Sequence, residues 1–266
     1  MNPKSAITSF SFCMLLVAFS HAQSSLDKEG NSSSSGDTEK RKMNIVKVNV
    51  LPALFIKNFS FQYERVVSKH LSLALGARFM PNTGIPFKDR IITLADVTDP
   101  DASNAINNFK MSNFAITPEL RLYLSKKGYG RGFYIAPYYR YASFKSDELP
   151  IGYTDDNNQQ QTITLKGDIK TNSAGLMFGA QWFLGKVITL DWWIIGGHYG
   201  ANKGTFVGTT TMTLSAQEQA DIKQAIDDFS LPVGTITSTV NANGATVNMS
   251  GPWAGVRGGL TLGFRF

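Results

Sequence analysis

The constraint that bears hardest on this chain is the two-residue alternation of residues 252–266. Ala254, Val256, Gly258, Leu260, Leu262, Phe264 and Phe266 fall in one phase. Gly255, Arg257, Gly259, Thr261, Gly263 and Arg265 fall in the other. Successive side chains of a strand point to opposite faces, so a strand here has one apolar face and one face of glycines, a threonine and two arginines. The pattern recurs upstream over 46–55, 59–66, 71–80, 112–124, 133–144, 174–184 and 187–198, which makes eight strands. Val46 and Val48 oppose Lys47 and Asn49; Leu120 and Leu122 oppose Glu119 and Arg121; Trp192 and Ile194 oppose Asp191 and Gly197.

The connections between these segments alternate in length. Tight turns fall at Ser68-Lys69-His70, at 125–131 and at Gly185-Lys186, and long ones over about 81–111, 145–171 and 199–251. The first hairpin, near Ile56-Lys57-Asn58, breaks the rule by being short. Short turns on one side and long loops on the other are the mark of outer-membrane barrels, whose strands need about 9–11 residues to cross a bilayer. No stretch of 18 or more uninterrupted apolar residues supplies a spanning helix. The ordinary 42% hydrophobic content fits a barrel, half of whose strand positions face inward.

Alternation by itself also suits a soluble, lipocalin-like barrel with its apolar face inside. The polar face separates the two. It interleaves Gly76, Gly175, Gly179, Gly255, Gly259 and Gly263 with single charges, and small residues are needed beside long arginines only in a narrow interior. Eight strands leave room that side chains can just fill. The sequence therefore predicts an inward charge network of Lys47, Glu64, Arg78, Glu119, Arg121, Arg140, Asp191, Arg257 and Arg265. Aromatic girdles are expected at the rims, with Phe133, Trp182, Phe264 and Phe266 at one end and Phe59, Phe79, Phe114 and Tyr141 at the other.

The N-terminus has the form of an export signal over 1–22. Lys4 supplies the positive region, 7–19 the apolar region, and Ser20-His21-Ala22 the small-x-small cleavage site. Cys13, the single cysteine, lies inside the apolar region, so cleavage would leave no thiol chemistry and no disulfide. Loss of Lys4 lowers the 26 basic residues to 25 against 20 acidic ones, a charge of +5. Those cations are scattered, which argues against nucleic acid. Residues 23–42 are a polar, serine-rich stretch expected to be a disordered periplasmic linker, followed by the barrel over 43–266.

The motifs Lys47-Val-Asn49, Tyr63-Glu64, Ser68-Lys69-His70-Leu-Ser-Leu, 118–123, 132–140, 182–186 and the final strand carry a resemblance. In their order and spacing the chain resembles the small OmpA/OmpX-like outer-membrane barrels, and more closely a Bacteroidetes barrel family of unknown function. The resemblance implies an all-β, eight-stranded antiparallel up-and-down transmembrane barrel with both termini periplasmic. It brings no enzymatic residues. It also implies that Phe264 and Phe266 act as a C-terminal signal read by the barrel-assembly machinery. The last loop departs from the family in its length.

That loop carries a helix signal: Ser215 and Glu218 form a capping box, and Ile222, Ile226 and Phe229 recur at helical spacing. A fainter one lies over 101–109. His21, His70 and His198 have no metal-ligand spacing, and Asp96, Asp99 and Asp101, or 155–158, match no calcium loop, so neither metal nor other cofactor is expected. The expected role is non-enzymatic, structural or surface-interacting, through the long loops. Its partners would be outer-membrane lipid and lipopolysaccharide, and an extracellular protein or glycan. A lipid-modifying hydrolase, for which His198 is the one candidate, and a narrow solute channel are the alternatives.

Overall fold

The computed structural model describes residues 42–49, 57–84, 88–94, 96, 100–154, 160–228 and 233–266. The expected signal peptide and all of the linker but Lys42 lie outside the described residues, as do 50–55, the second part of the first expected strand, and Ile56 of the first hairpin. The elements are β1 (Asn44–Asn49), β2 (Phe59–Val66), β3 (Leu71–Gly84), α1 (Lys88–Leu94), α2 (Pro100–Asn108), β4 (Lys110–Tyr123), β5 (Gly132–Ser146), β6 (Leu149–Thr154), β7 (Gln160–Leu184), β8 (Ile188–Thr210), α3 (Ala216–Asp227), β9 (Thr235–Asn241) and β10 (Gly244–Arg265).

Strands β1, β2, β3, β4, β5, β7, β8 and β10 pair in that order, each antiparallel to the next, and β1 also pairs β10. The eight therefore close into a ring. Lys47 sits opposite Gly263 and Asn49 opposite Thr261 across the closing seam. The seam is held at its end by reciprocal backbone bonds between Asn44 and Phe266. Lys42, Phe266 and the turns at 67–70, 124–131 and 185–187 share one end of the ring, called the base here; the long connections share the other, the mouth.

Exposure follows the alternation, with the polar phase inside. Lys47, Glu64, Arg121 and Asp191 are wholly buried, whereas Leu73, Phe79, Leu122 and Phe264 are exposed. Phe59 pairs with Phe79 and Phe79 with Phe114, which lays three exposed rings side by side across β2, β3 and β4.

Two expectations are corrected. The connections expected over 145–171 and 199–251 are largely strand. β7 runs 25 residues, β8 23 and β10 22, and they continue past the ring as a sheet edged by β6 on β7 and β9 on β10. From Asp168, opposite the end of β5, to Gln160 is eight residues, about 27 Å. The second concerns β8, where Ile194 is an extra residue: Phe178 faces Ile195, and Gly179 faces Trp193. A bulge of this kind exchanges the faces of everything beyond it. Gly197, expected inside, therefore faces out, and His198 turns in.

Candidate functional site

Every strand of the ring sends at least one polar side chain to a single cluster in the lower half of the interior. Lys47 Nζ on β1 donates to Glu64 Oε2 on β2 at 2.5 Å, to Asp191 Oδ2 on β8 at 2.7 Å and to Gln181 Oε1 on β7. Arg121, from β4, binds four acceptors. Its Nη1 reaches Asp191 at 2.7 Å and Glu64 at 3.2 Å; its Nη2 reaches Glu119 at 3.0 Å and Gln62 at 2.8 Å. Arg257, from β10, closes the set by donating to the other oxygen of Glu119 at 3.0 Å. Three cations thus meet three carboxylates.

Neutral groups complete the coordination. Glu64 also accepts from Ser72 on β3 and from Tyr123, and Asp191 accepts from Tyr134 on β5 at 2.9 Å and from Trp193 at 3.2 Å. The Arg121 guanidinium lies 4.5 Å over the Tyr134 ring, and that of Arg257 lies 4.7 Å over Tyr138 and 5.1 Å over Trp193. Dense coordination of this kind is what allows ions to be buried, because each unpaired lone pair or proton in a dry interior is costly. The glycines make room for these groups, though for tyrosines more than for arginines. A Cβ at Gly175 would lie 2.6 Å from Tyr138 Cζ, and one at Gly179 would overlap the Tyr134 ring.

The turn at 125–131 seals the base. Gly130, at φ +79°, takes a left-handed conformation that suits glycine and points its carbonyl at Gln181 Nε2, 2.6 Å away. Gln181 thereby links the seal to Lys47.

Above the network the interior changes character. Arg78, Arg140 and Arg257 line one cavity of about 180 Å³ together with Asn49, Asn58, Ser60, Thr117 and Trp193. Arg78 is held by Asn113 Oδ1 through Nε and Nη2, at 3.0 and 2.6 Å, and Arg140 by Thr117 Oγ1 at 3.0 Å. Both anchors are neutral. Higher still the inner face turns apolar, where Phe144 and Trp253 meet at 5.5 Å. An apolar hollow of about 210 Å³, lined by Phe109, Phe144, Leu165, Ile169 and Phe206, follows on the projecting sheet.

Of the charges the sequence predicts inside, Lys47, Glu64, Glu119, Arg121, Asp191 and Arg257 come together. Arg78 and Arg140 form the separate upper group. Arg265 joins neither: it lies at the base, 3.6 Å over the Phe183 ring and bonded to the carbonyl of Lys42. Tyr123, Tyr134 and Gln181, which the predicted charge network does not include, join it as neutral partners. His198, Nδ1 3.1 Å from Tyr138 Oη, was hidden by the bulge. Phe264 and Phe266 are exposed on the outer face near the seam and stack with ring centres 6.4 Å apart. No group of three or more His, Cys, Asp or Glu suited to a metal occurs among the described residues; Asp99 and 155–158 lie outside them.

Fold and interior together define a class: an all-β chain whose antiparallel strands close as a ring of eight around an ionised centre. The DUF3575 family, proteins of unknown function, matches residues 31–224, and the chain belongs to it. The matched span runs from before β1 into α3 and thus covers seven of the eight ring strands. No curated protein and no solved structure matches the chain.

Proposed function

We propose that the chain is an OmpA/OmpX-like outer-membrane β-barrel of the Bacteroidetes type, with both termini periplasmic, that acts non-enzymatically at the cell surface through its projecting sheet and helices. The observation that carries this reading is the inverted alternation, with ions inside and apolar side chains exposed all round. A water-soluble barrel gains stability from the opposite arrangement. The height of the apolar face agrees with a bilayer. From Phe114 to Leu124, both exposed, is ten residues or about 34 Å, which a tilt of about 40° reduces to about 26 Å, close to the apolar band of such barrels.

Two features favour surface interaction over the alternatives. The ion network and the seal at Gly130 fill the lower interior, which suits a plug better than a solute channel. His198 turns inward to Tyr138, away from any lipid-facing serine, which counts against a lipid hydrolase. What remains presentable is the sheet of β6, β7, β8, β10 and β9 with α3, for an extracellular protein or glycan.

Gel mobility of the detergent-folded protein tests the fold half of this proposal: the unboiled form should migrate faster than the boiled form. Recovery of a folded, water-soluble monomer without detergent would sink it. For the surface half, protease added to intact cells should cut within 211–243 and leave the remaining barrel in the outer-membrane fraction. Protection of that segment in intact cells, with cleavage only after lysis, would reverse the orientation.

A further inference from the structure

The interior charges do not balance. Lys47, Arg78, Arg121, Arg140 and Arg257 are five cations against the three carboxylates Glu64, Glu119 and Asp191, a surplus of two positive charges with His198 counted neutral. The surplus is local. The lower cluster is neutral within itself, so the excess sits on Arg78 and Arg140, and no carboxylate lies within 4.0 Å of either among the described residues. Arg140 is 94% buried, being 6% exposed, and its Nη2 has no hydrogen-bond partner among the described residues. Like charges facing one another in a narrow, partly dry space repel, and a buried ion without a counter-ion is among the costliest features a fold can keep.

The cavity is shaped to receive what is missing. Its volume of about 180 Å³ is that of about six water molecules, ample for a tetrahedral oxyanion. Three guanidinium groups border it from β3, β5 and β10, each anchored through some of its N–H groups and therefore oriented. Planar forks of this kind match the oxygens of phosphate in pairs. Asn49 and Asn58 have side-chain oxygens without partners, and an amide can equally turn its NH₂ into the space; Ser60 adds a hydroxyl. The one carboxylate nearby, Glu119, is already shared by Arg121 and Arg257.

We infer that this cavity binds a doubly charged phosphate group through Arg78, Arg140 and Arg257. The group is either inorganic phosphate or the phosphomonoester of a lipid headgroup. Trp193 borders the cavity and underlies Arg257, so its fluorescence reports occupancy.

The test titrates the full, detergent-folded chain with inorganic phosphate at constant ionic strength held by chloride, and in parallel with micelles doped with phosphatidic acid or with phosphatidylcholine. A saturable change with phosphate, or with phosphatidic acid but not phosphatidylcholine, is expected, and which of the two acts names the source. Arg140→Gln should weaken it at least tenfold, and Arg78→Lys, which keeps the charge but loses the fork, by a smaller factor. Arg265→Gln, at the base, should leave it unchanged. If Arg140→Gln does not fold, Arg78→Lys and Arg78→Gln carry the comparison. Absence of saturation with both ligands overturns the inference, and so does binding that survives the Arg78 and Arg140 substitutions.

Discussion

At the scale of single residues, the lower cluster sets stability by what happens when one member is lost. Replacing a whole buried ion set by apolar groups is often neutral, but removing one partner strands the others. Arg121→Met leaves Glu64, Glu119 and Asp191 against Lys47 and Arg257, and should cost about 3–5 kcal/mol. Tyr134→Phe keeps the ring beneath Arg121 and removes only the hydroxyl donated to Asp191, so about 1.5–3 kcal/mol is expected. Urea unfolding in detergent, followed by tryptophan fluorescence, ranks the two; equal losses would mean that the ions are not tightly coupled. Much of this cluster was legible in the sequence. Lys47, Glu64, Glu119, Arg121 and Asp191 each stand in the polar phase of a strongly alternating strand, which sends them inward without knowledge of a partner. Arg265 stands in the same phase, yet at the last rung of its strand an inward direction leads to the base and to Phe183.

At the scale of elements, the alternation was readable wherever one face is apolar, and lost where neither is. Residues 160–170 keep a readable period of two, with Ile163, Leu165 and Ile169 against Thr162, Thr164, Lys166 and Lys170, whereas 199–210 and 235–250 are rich in threonine, glycine and asparagine in both phases. With no apolar face to reveal a period of two, the latter two pass for loop, although their ladders are continuous. The bulge in β8 escaped for the opposite reason, since Ile194-Ile195 is apolar in both phases and disguises the change of face. Helix α3 was visible because its start is local chemistry: Ser215 accepts from the Glu218 amide, and the Glu218 carboxylate accepts from the Ser215 amide. Its far end is tied by Asp227, which accepts from Lys223 and from Ser238 of β9; these hydrogen bonds hold its carboxyl below the usual value. A lowered carboxyl pKa contributes stability above the unfolded value of about 3.9, and that contribution is lost as pH falls through the folded value. Hydrogen exchange of the α3 amides should therefore accelerate, relative to ring amides, as pH drops below about 4. Asp227→Asn should show the faster exchange already at neutral pH, and identical profiles for the two proteins would remove Asp227 as the tie.

At the scale of the molecule, closure depends on the phase of β10 against β1 and β8. Leu260 is 37% exposed and faces out, whereas Thr261 is 1% exposed, with its hydroxyl on the backbone carbonyl of Asp191. On the proposed membrane reading, Leu260→Arg places a charge near the bilayer midplane at a cost of about 2–4 kcal/mol and should reduce assembled barrel in vesicles. Thr261→Arg should insert but fold less stably, limited by space beside the network. Failure of Thr261→Arg alone to insert would invert the face assignment. The unbroken length of β7, β8 and β10 has a mechanical consequence as well. Ladder bonds lie across the strands, so a pull along the projecting sheet loads many rungs in shear at once rather than peeling them one by one. The same backbones carry Gln181, Asp191 and Arg257 into the ring, so tension on the sheet is delivered to the ion cluster without passing through a hinge. The sheet is in effect a tether whose anchor is the ring itself.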